Sequence, residues 1–168
     1  GHGVIWRSHV ADILDAYETW ASKTPETGAL VVFDSMWHST ELIAQAIAEG
    51  FSQKQVPVHL VDLKTEHISD ILPLVLDCKY IAAGSPTLNN NMMPNMAAFL
   101  CYLKGLSPKK REAFAFGSYG WGGQSIAQVE EELVKCGFNI CMDKIRIQYI
   151  PTREQLLDIE AKVKALVS

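Results

Sequence analysis

Short apolar runs alternate with longer segments of helical periodicity along most of the chain. Five runs rich in β-branched and aromatic residues are typical of buried strands; they lie at residues 29–34, 58–63, 80–84, 113–117 and within 138–150. Apolar residues spaced three and four apart predict helices at residues 10–21, 40–53, 68–77, 94–103, 124–136 and 153–167. This alternation predicts an α/β fold in which helices cover both faces of a parallel sheet.

Three loops that follow predicted strands have unusual sequences. Residues 34–40 read DSMWHST, residues 85–91 read SPTLNNN and residues 118–123 read SYGWGG. In an open, twisted, five-stranded sheet of order 2-1-3-4-5, the preceding strands one, three and four are neighbours, and ligands bind beyond their carboxyl ends. We therefore expect the three loops to form one site. The loop after strand two, residues 64–67, is ordinary polar sequence and is expected to lie outside that site.

The first loop combines hydroxyl groups with the start of a predicted helix. The free backbone N–H groups and positive dipole end of a helix attract anions, and Ser35, Ser39 and Thr40 add hydroxyl donors. The loop contains no Lys, Arg or Gly, so neither GxxxxGK[ST] nor GxGxxG fits. This pattern favours a terminal phosphate monoester such as that of FMN. The alternative is that Ser39 or Thr40 only caps the helix.

The second and third loops suit a flat heterocycle. Thr87, Asn89 and Asn90 offer donors and acceptors for its polar edge, while Tyr119 and Trp121 stand among glycines and can cover its face. Taken singly, these segments are also compatible with a polar loop and a tight turn. The predicted cofactor-binding residues are Ser35, Met36, Trp37, His38, Ser39 and Thr40 in the first loop, Ser85, Pro86, Thr87, Leu88, Asn89 and Asn90 in the second, and Ser118, Tyr119, Gly120, Trp121, Gly122 and Gly123 in the third.

Positive charge is scarce around this predicted site. Residues 80–103 and 112–133 contain no Lys or Arg. A site without cations would stabilise added negative charge on a flavin poorly, so we expect a low reduction potential for a bound flavin.

Composition limits the class of protein. The chain has 168 residues, 48% of them hydrophobic, and a formal net charge of −4, which fits one domain and argues against nucleic-acid binding. No apolar run approaches the roughly 20 residues of a membrane span, and the start does not resemble a signal peptide, so we expect no membrane association and a cytoplasmic location. The four cysteines form no CxxC pair and are predicted to be buried thiols.

The motifs together resemble the flavodoxin-like half of the flavodiiron proteins, also called A-type flavoproteins. The resemblance rests on residues 2–7 (HGVIWR), 34–40, 84–90 (GSPTLNN), 104–106 (KGL) and 116–122 (FGSYGWG). His38 stands where related loops often have Gly. The resemblance implies that residues 27–168 form a flavodoxin-like FMN-binding domain, and that residues 1–26 are a linker and helix leading from a separate N-terminal domain.

The resemblance also implies partners and an activity. In the family, the N-terminal domain carries two irons that reduce oxygen to water or nitric oxide to nitrous oxide, and FMN delivers the electrons. The electron donor would be rubredoxin or a flavin reductase, and the acceptor would be the diiron centre of the partner subunit in a head-to-tail homodimer. His2 corresponds to one iron ligand and would serve as such only in a longer chain. Electrons would enter near Trp121 and Leu88.

Three alternatives differ in class. A free-standing FMN-dependent NAD(P)H reductase acting on quinones or nitro compounds would share the flavin site. A phosphoacceptor receiver domain would need an Asp at the end of strand three, where Gly84 stands. A serine hydrolase would need Gly in place of Phe116 to complete GxSxG.

Overall fold

The computed structural model describes residues 5–22, 24–106, 108 and 110–167. Six helices and six strands follow one another within this part of the chain. In order they are α1 Val10–Ser22, β1 Ala29–Phe33, α2 Ser39–Ser52, β2 Val58–Asp62, α3 Ile68–Asp77, β3 Tyr80–Gly84, α4 Pro94–Leu106, β4 Glu112–Tyr119, α5 Gln124–Lys135, β5 Asn139–Ile140, β6 Ile145–Gln148 and α6 Arg153–Leu166.

The strands form one parallel sheet in the order β2-β1-β3-β4-β5, and β6 also pairs with β4. The predicted α/β fold and the predicted order 2-1-3-4-5 are therefore confirmed. The register sets Phe33 beside Gly84 and Gly84 beside Phe116. β1 and β3 end at this level and β4 continues for three more residues, so the loops that follow these neighbouring strands leave the same edge of the sheet.

The prediction of one strand within residues 138–150 needs correction, because two strands occupy this region. β5 pairs with Glu112 and Ala113 at the start of β4, and β6 pairs with the last four residues of β4. Residues 141–144 interrupt the strand, and within them Lys144 turns toward α5 to pair with Glu130 at 2.6 Å. Alternation then resumes, with Ile145 and Ile147 buried and the residues between and after them exposed. β4 has eight residues, which is long enough to pair with both segments.

Side chains on the two faces of the sheet belong to two cores. Leu30, Val32 and Ile81 pack on one face with residues of α3, α4 and α5. Their neighbours in the chain, such as Val31 and Ala82, pack on the other face with residues of α2 and α6. This alternation is the period of two expected for strands buried on both faces. The sheet is thereby fixed between two layers of helices.

Gly84 ends β3 at a point where a side chain has no room. A Cβ atom there would lie 2.1 Å from Cε2 of Phe116 on the neighbouring strand. A receiver-type Asp at this position would therefore clash with the core. The packing agrees with the sequence argument against a phosphoacceptor domain.

Helix α1 lies apart from the two cores. Val10, Leu14 and Tyr17 are each about half exposed, and Trp20 Nε1 donates a hydrogen bond of 3.1 Å to Asp77 Oδ1. None of the helices in the described part of the chain is both long and apolar enough to cross a membrane. Of the four thiols predicted to be buried, Cys78 and Cys136 are buried and Cys141 is partly buried. The prediction is wrong for Cys101, which is exposed because it lies on the outer side of α4.

Candidate functional site

A cleft of about 720 Å³ lies at the carboxyl ends of β1, β3 and β4. All three predicted loops contribute to its walls. Of the eighteen predicted residues, thirteen line it: Met36, Trp37, Ser39, Pro86, Thr87, Leu88, Asn89, Asn90, Ser118, Tyr119, Gly120, Trp121 and Gly122. The structure therefore brings together residues that are far apart in the sequence.

The other five predicted residues do not line the cleft. Ser35, Thr40 and Ser85 are almost fully buried beneath it. Gly123 packs against Arg146, whose Nη2 would lie 2.7 Å from a Cβ at this glycine. His38 faces solvent, with 84% of its side chain exposed.

Helix α2 begins at the first loop without a side-chain cap. His38 occupies the N-cap position and makes no capping hydrogen bond, and Ser39 and Thr40 are already the first two helical residues. The alternative that Ser39 or Thr40 serves only as the cap therefore does not match this helix start. The N–H groups of a first helical turn have no acceptor within the helix. Together with the helix dipole, they give this end of the cleft an affinity for anions.

The backbone of His38 has a φ of 64°, in the left-handed region that favours glycine. Glycine would adopt this conformation without a Cβ clash. The imidazole Nδ1 lies 2.7 Å from Glu41 Oε2, one turn along the helix, and the pair is exposed. The side chain of His38 thus contacts the helix surface and not the cleft.

Ser35 provides a direct test of whether a ligand's phosphate fits here. Ser35 is only 4% exposed, and its hydroxyl oxygen, Oγ, has no hydrogen-bond partner within the described part of the chain. Buried hydroxyls are almost always hydrogen-bonded in folded proteins. A hydroxyl left free beside an uncapped helix start is well suited to donate to a phosphate oxygen. The residues present therefore fit an FMN phosphate.

Asp34, which directly follows β1 and precedes Ser35, is fully buried. Burial raises the pKa of Asp34 above its ordinary value, while the backbone N–H of Ser35 and the charge of Lys64 oppose this change. The Ser35 N–H donates to Asp34 Oδ1 at 2.8 Å. Asp34 therefore fixes the backbone where the first loop begins.

None of residues 64–67, in the loop after β2, lines the cleft, but Lys64 contacts the backbone of the first loop. The ammonium group of Lys64 donates a hydrogen bond to the backbone oxygen of Ser35. Lys64 follows β2 and Ser35 follows β1, and these strands are neighbours in the sheet. The first loop thus has a lysine beside it, although its own sequence contains none.

Buried hydroxyl groups connect the three loops. Thr40 Oγ1 and Ser118 Oγ are 2.9 Å apart, which joins the first loop to the third. Thr87 Oγ1 and Ser125 Oγ are 2.8 Å apart, and the Ser125 hydroxyl donates to the Ser85 backbone oxygen at 3.1 Å. Ser125, which the sequence reasoning missed, therefore joins the second loop to the start of α5. Such bonds hold the walls of the cleft in one arrangement before any ligand binds.

The second loop turns sharply at Asn89 and Asn90. Both residues have positive φ, 50° and 63°, which asparagine tolerates better than most residues. Leu88 and Asn91 exchange backbone hydrogen bonds of 2.9 Å across this turn. The polar side chains predicted to meet the edge of a ring thus stand on a closed turn at the mouth of the cleft.

Aromatic side chains dominate the mouth of the cleft. Trp121 is 99% exposed and Trp37 is 85% exposed, although both are large and apolar. Tyr119 is partly buried, and the guanidinium carbon of Arg146 lies 5.4 Å from its ring centroid. Arg146 comes from β6, outside the two segments free of Lys and Arg. The loops thus contribute no Lys or Arg to the lining of the cleft, but the fold brings Arg146 close to Tyr119 and Lys64 close to Ser35.

Two lining residues, Tyr149 and Ile150, were not predicted. They follow β6, and pairing of β6 with β4 brings them to the third loop. An aromatic and an aliphatic residue at the end of the last apolar run, directly before Pro151, are the sequence signal that could have identified them. No group of three or more His, Cys, Asp or Glu residues that could hold a metal ion occurs among the residues described, and His2 lies outside them.

An open parallel sheet of order 2-1-3-4-5 with a cleft at the ends of its central strands defines a flavodoxin-like protein. The chain belongs to the flavodoxin family, because the family model described as Flavodoxin matches residues 31–161.

Relatives of this chain include larger proteins. It is 35% identical over 156 residues to a nitric oxide reductase of Moorella thermoacetica, covering 92% of this chain and 39% of the relative. The crystal structure of the flavodiiron protein from Giardia intestinalis is similar with a TM-score of 0.88 and 30% identity, covering 98% of this chain and 41% of that one. For rubredoxin oxygen:oxidoreductase from Desulfovibrio gigas, the TM-score is 0.86 and the identity 32%, with coverage of 94% and 41%.

The chain thus spans about two fifths of the length of these relatives. The similarity is to the flavodoxin-like region of flavodiiron proteins, and the resemblance predicted from the sequence motifs is confirmed.

Proposed function

We propose that the chain binds FMN in the cleft and carries electrons. The observation that carries this proposal is the free, buried hydroxyl of Ser35 beside the uncapped start of α2, at one end of a cleft with exposed aromatic side chains at its mouth. One end suits a phosphate and the other suits a flat apolar ring. Bound FMN would supply one- and two-electron chemistry at its ring.

At the phosphate end, the first loop offers hydrogen-bond donors but contains no Lys or Arg of its own. The hydroxyls of Ser35 and Ser39 and the N–H groups of the first turn of α2 are proposed to donate to phosphate oxygens. Thr40, bonded to Ser118, holds the helix start against the third loop. Lys64 adds positive charge beside the loop through its bond to the Ser35 backbone oxygen.

At the ring end, Tyr119 and Trp121 are proposed to cover the flavin, and Thr87, Asn89 and Asn90 to meet its polar edge. The Arg146 guanidinium over the Tyr119 ring brings a positive charge near this end, which opposes the low reduction potential expected from the loop sequences. We propose that electrons enter near Trp121 and Leu88, which line the cleft mouth.

The relatives' names support a wider context. We propose that this domain accepts electrons from rubredoxin or a flavin reductase and passes them to the diiron centre of a flavodiiron oxygen or nitric oxide reductase, across a homodimer. In this proposal residues 27–168 are the FMN-binding domain and residues 1–26 connect it to the diiron domain. The half-exposed apolar side chains of α1 agree with a connecting role for that helix. A cytoplasmic location remains a prediction.

The test is to titrate the purified apoprotein with FMN and record flavin fluorescence and the visible spectrum. Quenching that saturates at one FMN per chain, followed by reversible reduction of the bound flavin, is the expected result. Absence of quenching would refute FMN binding. Steady oxidation of NAD(P)H by the FMN-loaded chain would instead support the free-standing reductase.

A further inference from the structure

The corner between β6 and α6 carries a strained aromatic residue that the proposed phosphate and ring contacts do not use. Tyr149 has a φ of 62°, in a region that bulky side chains rarely adopt. Its side chain is nevertheless 61% exposed, so burial in the core does not explain the strain. A residue with a strained backbone persists only where the surrounding structure enforces its conformation. Such residues are concentrated at binding sites.

Hydrogen bonds to the third loop enforce this conformation. The Tyr149 N–H donates to the Tyr119 backbone oxygen at 2.8 Å, and the Gln148 side-chain amide donates to the Gly120 backbone oxygen at 2.9 Å. Both acceptors belong to residues that line the cleft. The corner is thereby fixed to the loop that carries Trp121.

The chain after Tyr149 is fixed as well. Pro151 restricts Ile150 to extended conformations. Thr152 then starts α6 with a capping box, in which its hydroxyl accepts from the Gln155 N–H and the Gln155 side chain accepts from the Thr152 N–H. The corner therefore presents its side chains from a rigid base.

These constraints hold two apolar side chains at the cleft. Tyr149 and Ile150 both line it, and Ile150 is 72% exposed. The Tyr149 ring lies over Gly120, since its Cε1 is 3.9 Å from where a Cβ of that glycine would be. The first three walls come from the loops after β1, β3 and β4, and this corner is a fourth.

We propose that Tyr149 is a further binding residue for the flat aromatic part of the cofactor, and that its strained backbone holds the ring in place for that contact. This inference rests on the proposed FMN site and assigns it a wall that the loop motifs do not contain. If Tyr149 contacts the ring, its removal should weaken the binding of FMN and the binding of riboflavin by the same factor. Riboflavin has the same ring system as FMN and no phosphate.

The experiment measures dissociation constants of FMN and riboflavin for the full chain and four variants by flavin fluorescence. Tyr149→Asn and Tyr149→Gly remove the ring and accept positive φ, so thermal unfolding of the apoprotein should occur at the same or a higher temperature. Both should weaken FMN and riboflavin about five- to tenfold. Tyr149→Phe keeps the ring and should restore affinity to within about twofold. Tyr102→Ala removes an exposed tyrosine of α4 outside the cleft and is the control, with no expected change.

Unchanged affinities in both ring-removing variants would overturn the role of Tyr149 while leaving the FMN site intact. A loss of affinity for FMN alone, with unchanged affinity for riboflavin, would also overturn the role of Tyr149. The substitution would then act through the phosphate end of the cleft. Failure of the unmodified chain to bind either flavin would refute the proposed function itself. Using two ring-removing variants keeps the test valid if one of them folds poorly.

Discussion

Thr40 Oγ1 and Ser118 Oγ lie 2.9 Å apart in the interior, although 78 residues separate them in the chain. Thr40 is the second residue of α2, and Ser118 lies near the end of β4. This bond ties the start of α2 to the third loop. Both residues are almost fully buried, so water cannot replace either hydroxyl easily.

Replacing Thr40 with Val should destabilise the apoprotein by about 1–3 kcal/mol, because the shape is kept while the Ser118 hydroxyl loses its partner. Urea unfolding measures this change. The control is the double variant Thr40→Val/Ser118→Ala, in which neither hydroxyl remains. The double variant should lose less unfolding free energy than the sum of the losses in Thr40→Val and Ser118→Ala measured separately. Strict additivity would mean that the two hydroxyls do not interact.

Ser35→Ala should weaken FMN binding without destabilising the apoprotein. Removing a buried hydroxyl that has no partner should leave the apoprotein unchanged or more stable by about 1 kcal/mol. Loss of a charge-assisted hydrogen bond should weaken FMN at least about tenfold. Riboflavin affinity should not change.

A matched control for Ser35→Ala is Ser52→Ala, at an exposed position in the last turn of α2. Chemical unfolding of the apoproteins and flavin titrations of each variant give the comparison. Equal FMN affinity in Ser35→Ala and the unmodified chain would remove Ser35 from the phosphate site.

His38→Gly should stabilise the apoprotein by up to about 1 kcal/mol, because glycine adopts the φ of 64° without the Cβ clash. His38→Ala is the control: it also removes the exposed contact with Glu41 but keeps a Cβ at positive φ. Thermal unfolding should therefore rank the glycine variant above the alanine variant. The reverse order would show that the greater backbone freedom of glycine in the unfolded chain outweighs the relief at the positive φ.

Asp34 should make stability depend on pH. Its pKa is raised in the folded chain, so the folded state holds the proton more tightly than the unfolded state. The stabilising contribution is complete below the ordinary value of 3.8 and is lost as pH rises through the higher folded value. Asp34→Asn keeps an acceptor for the Ser35 N–H and cannot ionise. Its advantage over the unmodified apoprotein should grow from pH 3 to about pH 7. A difference independent of pH would show that Asp34 titrates normally.

The sequence predicted the parts of this molecule that depend on local patterns. The apolar runs located β1, β2 and β3 to within a residue, and the chemistry of residues 34–40, 85–91 and 118–123 identified three walls of the cleft. The expected strand order 2-1-3-4-5 then placed the three loops side by side, because ligands bind where neighbouring strands end. These inferences need only periodicity and the composition of short loops.

The missed features depend on pairing between distant segments. The pairing of β6 with β4 brings Tyr149, Ile150 and Arg146 to the third loop, and the pairing of β2 with β1 brings Lys64 to Ser35. No local pattern encodes such neighbours. Likewise, the sequence does not show that β4 pairs with two short strands separated by residues 141–144.

The most direct test of the central claim is a calorimetric titration of the apoprotein with FMN, repeated with riboflavin. The account predicts one FMN per chain and an affinity for riboflavin at least about tenfold lower, because the hydroxyls of Ser35 and Ser39 and the start of α2 recognise the phosphate. Absence of FMN binding, or equal affinity for the two flavins, would contradict it.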